Sequence, residues 1–260
     1  MKVRRGFGWV PDLPDQRDYL YGAIRPVVRL PKEVDLREFC SEVENQEALG
    51  SCTANALAGN LEFLDKRGID QSDSVSRLRR LTESDYTDVS RLFIYYNERV
   101  LHGTVDYDSG ASLRNGIKTL RKEGACWEET WPYLIERFTR KPPEKCYREA
   151  KKHCIESYHR ISNLSEMLTC LADGFPFVFG FMVYESFQTQ RVARTGKVNM
   201  PGKKEKPLGG HAVLAVGYNQ KDERFLVRNS WGSEWGKDGY FTMPYKYLET
   251  LSADFWTIRK

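Results

Sequence analysis

The sequence predicts an α+β fold of two lobes with a cleft between them. Two observations carry this expectation. From about residue 50 to residue 172 apolar residues recur at helical spacing, whereas from Phe175 onward short β-rich runs are separated by Gly, Asn, Asp and Lys. Helices in the first half and strands in the second indicate segregated α and β regions. No internal repeat or low-complexity tract interrupts the pattern, and 260 residues suffice to bury a substantial core.

Residues 1–30 open the chain with Gly6, Gly8, Pro11 and Pro14 and little periodicity, which predicts an extended strap. Phe7, Trp9, Tyr19 and Tyr21 supply aromatic anchors, so the strap is expected to pack on the body, as a structural brace or across the cleft. The body is expected over 31–260, with a helical lobe over about 31–160 and a β-rich lobe over about 161–260. Ala54, Leu57, Ala58, Leu61 and Leu64 predict a helix over Thr53–Arg67, closed by two cations and Gly68. Residues 68–90 are polar and loop-rich. Further helices are predicted at about Ser90–Leu101 and Ser112–Lys122, and Asn163 with Glu166 marks the start of a short one ending at Gly174. "FPFVFGFMVY", "HAVLAVGY", "RFLVRN", "GYFTM" and "DFWTI" read as strands.

Composition narrows the functional classes. Forty Lys and Arg against 36 Asp and Glu give a net charge of +4, too small an excess to imply nucleic acid. No apolar run is long enough to span a bilayer. The basic start is not followed by an apolar h-region, so a cytoplasmic or other intracellular location is expected, with non-classical secretion as the alternative. Six cysteines in this length do not make a disulfide scaffold. His153-Cys154 has no ligand-like spacing with Cys146 or His159, so neither metal nor cofactor is expected.

Cys52 stands apart among the cysteines. It follows Gly50 and Ser51 at a helix start, where aligned backbone N–H groups favour a thiolate. Of four histidines, His211 opens the run "HAVLAVGY" after two glycines, a position that suits either a catalytic base or a buried core residue. His102, His153 and His159 lie in charged surroundings.

Three blocks then resolve the ambiguity. Gln46 with Gly50-Ser51-Cys52, Gly210-His211-Ala212-Val213, and Asn229-Ser230-Trp231-Gly232 with Trp235-Gly236 and Gly239-Tyr240 occur in that order. Together they resemble the papain family of cysteine peptidases, from about Pro31 to the C-terminus. The resemblance implies a helical left lobe, a β-barrel-like right lobe and an active-site cleft between them. It implies an endopeptidase acting through a Cys52 thioester, with His211 as acid and base. Asn229 would orient His211, Trp231 would shield their hydrogen bond, and Gln46 would donate to the oxyanion. Gly110 matches the segment that pairs with substrate backbone. Gly180, Gly209 and Ala253 match the pocket for the second residue upstream of the scissile bond. That pocket should take an apolar side chain, or a basic one if Asp254 intrudes. A protein or peptide substrate and a monomeric enzyme are expected. A transpeptidase or peptide ligase at the same site, and a non-catalytic peptide-binding module, are the alternatives.

The chain also departs from the family pattern. Leu49 stands where a cysteine usually precedes the nucleophile, Thr53 replaces a tryptophan, and no cysteine lies near Gly110. The usual disulfide framework is therefore not expected, which fits an intracellular or non-eukaryotic member, and the family's long helical propeptide is not expected either.

Overall fold

The computed structural model describes residues 6–23, 29–68 and 88–260. The polar, loop-rich stretch 68–90 lies almost wholly outside the described residues. In chain order the elements are β1 (Glu33–Asp35), α1 (Cys52–Arg67), α2 (Arg91–His102), α3 (Leu113–Lys122), α4 (Glu144–Ala150), β2 (Ser157–Arg160) and α5 (Leu164–Ala172). There follow β3 (Phe177–Tyr184), α6 (Gln190–Thr195), β4 (Pro207–Asn219), β5 (Arg224–Arg228), β6 (Tyr240–Pro244), α7 (Tyr245–Leu251) and β7 (Ser252–Arg259). A helical region and a sheet region meet along α1, giving two lobes.

Local chemistry sets the helix ends. Gly68 takes φ +61° and its N–H donates to the carbonyls of Leu64 and Asp65, closing α1. The Ser90 hydroxyl accepts from the Phe93 N–H at 3.1 Å and starts α2, which Gly103 ends at φ +70°. Asn163 caps α5 through the Glu166 N–H at 3.0 Å, while the Glu166 carboxylate reaches the Ser162 N–H. α1 is buried on nearly all sides, because α2 and α3 cover one flank and β4 the other.

The sheet corrects one expectation. Its strands run β2-β7-β3-β4-β5-β6, antiparallel throughout, and β1 pairs with the end of β4 at Gly217–Asn219. It is an open sheet and not the barrel-like right lobe that the family resemblance implied. Closure requires the two outer strands to pair. Here other segments hold both outer edges. The Arg160 N–H of β2 donates to the Tyr19 carbonyl of the N-terminal segment at 2.7 Å, and Lys197 bridges Thr242 of β6. The core of the sheet is aromatic: Phe177, Phe179, Phe181, Phe187 and Trp256 are all fully buried.

Candidate active site

Cys52 is the first residue of α1, and β4 lies against that helix with His211 in its run of buried residues. The loop after β5 then returns Asn229 to His211. Asn229 Oδ1 lies 2.8 Å from His211 Nε2, and both side chains are buried. Trp231 stacks on the imidazole, with centroids 4.9 Å apart and planes 25° apart. This stack covers the His211–Asn229 hydrogen bond from one face, and Phe181 covers another at 5.7 Å.

Gln46 is equally fixed. Ser230 donates its hydroxyl to Gln46 Oε1 at 2.6 Å, and the Gln46 N–H donates to the Ser230 carbonyl at 2.8 Å. The Gln46 Nε2 is thereby aimed at the Leu49 carbonyl at 2.8 Å and the Gly6 carbonyl at 3.1 Å. Tyr133 braces the same loop, donating to the Gln46 carbonyl at 2.9 Å and bonding Ser51 at 2.6 Å. Nothing in the sequence patterning marks Tyr133 or Ser230 for these duties, since their partners are brought near only by folding.

Burial dominates the electrostatics of Cys52. The side chain is inaccessible to solvent, and burial pushes its thiol up to about 11. Backbone amides of Ala212, Gly8 and Thr53 pull the other way and lose to desolvation. Gly8 belongs to the N-terminal segment, so part of the cover over Cys52 comes from that segment.

Residues 6–18 run through the cleft. The Gly8 carbonyl accepts from the Ala111 N–H at 2.8 Å, and the Val10 N–H donates to the Ala111 carbonyl at 2.9 Å, a parallel bridge. The Trp9 N–H donates to the Gly210 carbonyl at 3.1 Å. Phe7 lies over the His211 and Trp231 rings at 6.4 and 6.3 Å. A Cβ on Gly110 would meet the Gly8 carbonyl at 2.1 Å, one on Gly180 the Trp9 ring at 1.9 Å, and one on Gly209 the Phe7 Cβ at 2.9 Å. Three of the four proposed substrate-binding residues therefore touch the strap. Ala253 pairs with Gly180 across β3 and β7. Its neighbour Asp254 touches the strap, accepting from Trp9 Nε1 at 3.2 Å and from the Asp12 N–H at 2.8 Å.

The missing disulfide has a replacement. The Asp108 carboxylate accepts from the Gly50 N–H at 3.1 and 3.0 Å, and from the Tyr95 hydroxyl. Tyr95 accepts in turn from the Gly110 N–H at 3.1 Å. One carboxylate thus ties the turn before Cys52 to the glycine segment across the cleft, where the family pattern would place a covalent bridge. All six cysteines are free. Asp108→Ala is expected to lower kcat/KM roughly tenfold by loosening Gly50, since hydrogen bonds to a charged group carry more than neutral ones. Asp108→Asn should keep most of the activity, and reductant should leave the wild-type rate unchanged. Equal rates in wild type and Asp108→Ala would refute the clamp.

Among the described residues no cluster of three His, Cys, Asp or Glu is placed to hold a metal, and no helix is long and apolar enough to cross a membrane. The comparisons with known proteins agree with the geometry. The family model described as papain family cysteine protease matches residues 30–250. An uncharacterized peptidase C1-like protein of Acanthamoeba polyphaga mimivirus is 42% identical, the match covering 99% of this chain and 88% of that one. A cysteine proteinase of Brassica napus is 26% identical over 86% of this chain, which spans 62% of that protein. Among solved structures, xylellain, a cysteine protease from Xylella fastidiosa, superposes with a TM-score of 0.85 at 39% identity, over 100% of this chain and 98% of that one. A digestive procathepsin L 3 of Tenebrio molitor shares the fold, with a TM-score of 0.69 at 18% identity, over 99% of this chain and 77% of that one. The chain belongs to the papain family and is a cysteine endopeptidase working by a Cys/His mechanism.

Proposed function

We propose that Cys52, His211, Asn229 and Gln46 are the reacting and orienting groups of this peptidase, and that residues 6–18 gate them. The observation that carries the reading is the carbonyl of Gly6 held at 3.1 Å by the Gln46 side chain, beside a His211–Asn229 pair at 2.8 Å. Gln46 Nε2 thus already polarises one peptide carbonyl, as it would polarise a substrate's. With a substrate in place of the strap, Cys52 gives its proton to His211 and its sulfur attacks the substrate carbonyl carbon to form the C–S bond. The carbonyl electron pair moves to oxygen, facing Gln46 Nε2 and the Cys52 N–H. On collapse His211 gives its proton to the departing amine. Asn229 and Trp231 hold the imidazole in place through both steps. Water then attacks the thioester, with His211 taking its proton, and Cys52 is released.

The strap runs the wrong way to be cut. A substrate places its acyl residues upstream of the scissile bond and its leaving amine downstream, on the His211 side. The strap puts Phe7 over His211 and Trp231, and the later residue Trp9 in the opposite pocket. Its direction is therefore reversed, and its parallel bridge to Ala111 fits this. A substrate would make the antiparallel pairing at the same segment.

Gln46→Ala tests the oxyanion role. Losing one such donor costs about 100- to 1000-fold in turnover, and the loss should fall on the acylation rate with little change in KM. An unchanged acylation rate would remove Gln46 from the mechanism. We further propose a reducing compartment for the enzyme, on the strength of six unbridged cysteines.

A further inference from the structure

The pocket filled by Trp9 has a shape and a polar end that its lining glycines alone do not explain. Trp9 is nearly buried, at 8% exposure, and its ring occupies the space above Gly180 and Gly210, where added Cβ atoms would lie 1.9 and 2.6 Å from ring carbons. The slot is therefore flat and broad. Its far end is Asp254, 2% exposed and held at φ +58°, an unfavourable backbone region for a residue with a side chain.

We propose that Asp254 makes this pocket select, at the second residue upstream of the scissile bond, a flat side chain that ends in a hydrogen-bond donor, tryptophan foremost, over aliphatic and cationic ones. This rests on the papain-type reading of the site given above. With the strap in place, Asp254 Oδ2 accepts from Trp9 Nε1 and the Asp12 N–H, while Oδ1 lies 3.4 Å from Arg160. When the strap leaves, Oδ2 loses both donors and Oδ1 keeps its cation. The vacated slot then has apolar walls and one unsatisfied acceptor at its end. An aliphatic side chain would fill the walls and strand that acceptor, and a site built around a buried acceptor discriminates strongly against ligands that lack the donor.

Asp254 by itself would suggest a basic side chain, but its neighbours reverse the sign. The strap carries Asp12 and Asp18 away with it. Asp12 accepts from the Arg114 N–H at 3.1 Å and from Trp256 Nε1 at 2.9 Å. Asp18 pairs with Arg114 at 2.6 Å and with Arg160 at 2.9 Å. Both guanidiniums remain on the pocket side, 5.5 and 5.4 Å from the Trp256 ring. Two cations against one carboxylate leave the open pocket net positive, so a neutral donor is preferred to Lys or Arg.

The test uses the full-length protein with Trp9→Ala, which vacates the slot. Three internally quenched peptides, identical except for Trp, Leu or Arg at the second position upstream of the scissile bond, are compared by kcat/KM. The Trp peptide is expected to lead the other two by about tenfold or more. Adding Asp254→Ala should bring Trp within about threefold of Leu. Adding Asp254→Asn instead, which keeps a carbonyl acceptor and tolerates the positive φ, should preserve most of the preference. Leu or Arg cleaved as well as Trp in the Trp9→Ala protein overturns the proposal, and needs no Asp254 variant to do so. A Trp preference that survives Asp254→Ala overturns the role of Asp254. If no peptide is cleaved although iodoacetamide still labels Cys52, the peptidase reading fails and the pocket inference falls with it.

Discussion

Cys52→Ala is expected to abolish turnover, a fall of about six orders of magnitude against any peptide substrate. The size follows from covalent chemistry. Without the sulfur no thioester forms, and His211, Asn229 and Gln46 are left with water as the nucleophile. The fold should be unaffected, because the change removes one atom from the first residue of α1 and leaves the loop bonds of Gln46, Ser51 and Tyr133 intact. Cys126→Ala and Cys170→Ala supply the contrast. Both thiols are fully buried, and burial drives both upward, away from the thiolate. These two changes should leave turnover nearly unaltered and lower Tm by a few degrees at most. His211→Ala should be nearly as severe as Cys52→Ala. Asn229→Ala should be milder, since Trp231 stacked at 4.9 Å still limits the ring. Residual activity in Cys52→Ala, or iodoacetamide labelling a different cysteine first at neutral pH, would transfer the nucleophile elsewhere.

What the sequence made legible was whatever is encoded over a few neighbouring residues. The helix over Thr53–Arg67 begins one residue earlier than periodicity implied, because Cys52 already has helical geometry behind Ser51. Its end at Gly68 was visible, since an αL cap needs glycine. The five β-rich runs all became strands, whereas β2 with its half-buried "SYHR" has no alternation to reveal it. The four candidate site residues were named from their order and local motifs. Their second partners were not, because Asp108 meets Gly50 across 58 positions and Ser230 meets Gln46 across 184. The barrel expectation failed for a related reason. Sheet closure is decided by what reaches the outer edges, and Tyr19 and Leu20 come to β2 from the far end of the chain. Asp254 was read as a possible intruder in the pocket, but its positive φ and its pairing with Trp9 depend on the path of the strap.

Gly8→Ala is expected to open the cleft with a single methyl group. A Cβ at Gly8 would lie 1.7 Å from the Gly50 carbonyl oxygen and 2.4 Å from its carbon, and both are backbone atoms that no rotamer change can move. The strap must lift or shift, and forcing extra volume into a packed contact costs about 1–3 kcal/mol. That corresponds to roughly a 5- to 150-fold gain in the open population. The rates of Cys52 alkylation and of peptide cleavage should rise by the same factor. Tm should change little, because the segment beyond residue 18 stays in place: the Tyr19 carbonyl accepts from the Arg160 N–H at 2.7 Å, and Tyr21 bonds Asp173 at 2.9 Å. The pH profile gives an independent check with a definite sign. Burial holds the Cys52 thiol up at about 11, so in the closed protein the reactive thiolate is scarce at neutral pH. Lifting the strap removes the Gly8 amide but readmits water, and desolvation is the larger influence, so the alkylation profile of Gly8→Ala should move to lower pH than that of the wild type. By the same linkage, raising the pH favours the open strap in the wild-type protein. Identical alkylation rates and profiles in the two proteins would make residues 6–18 a brace that leaves Cys52 accessible, and the gate would have to be abandoned.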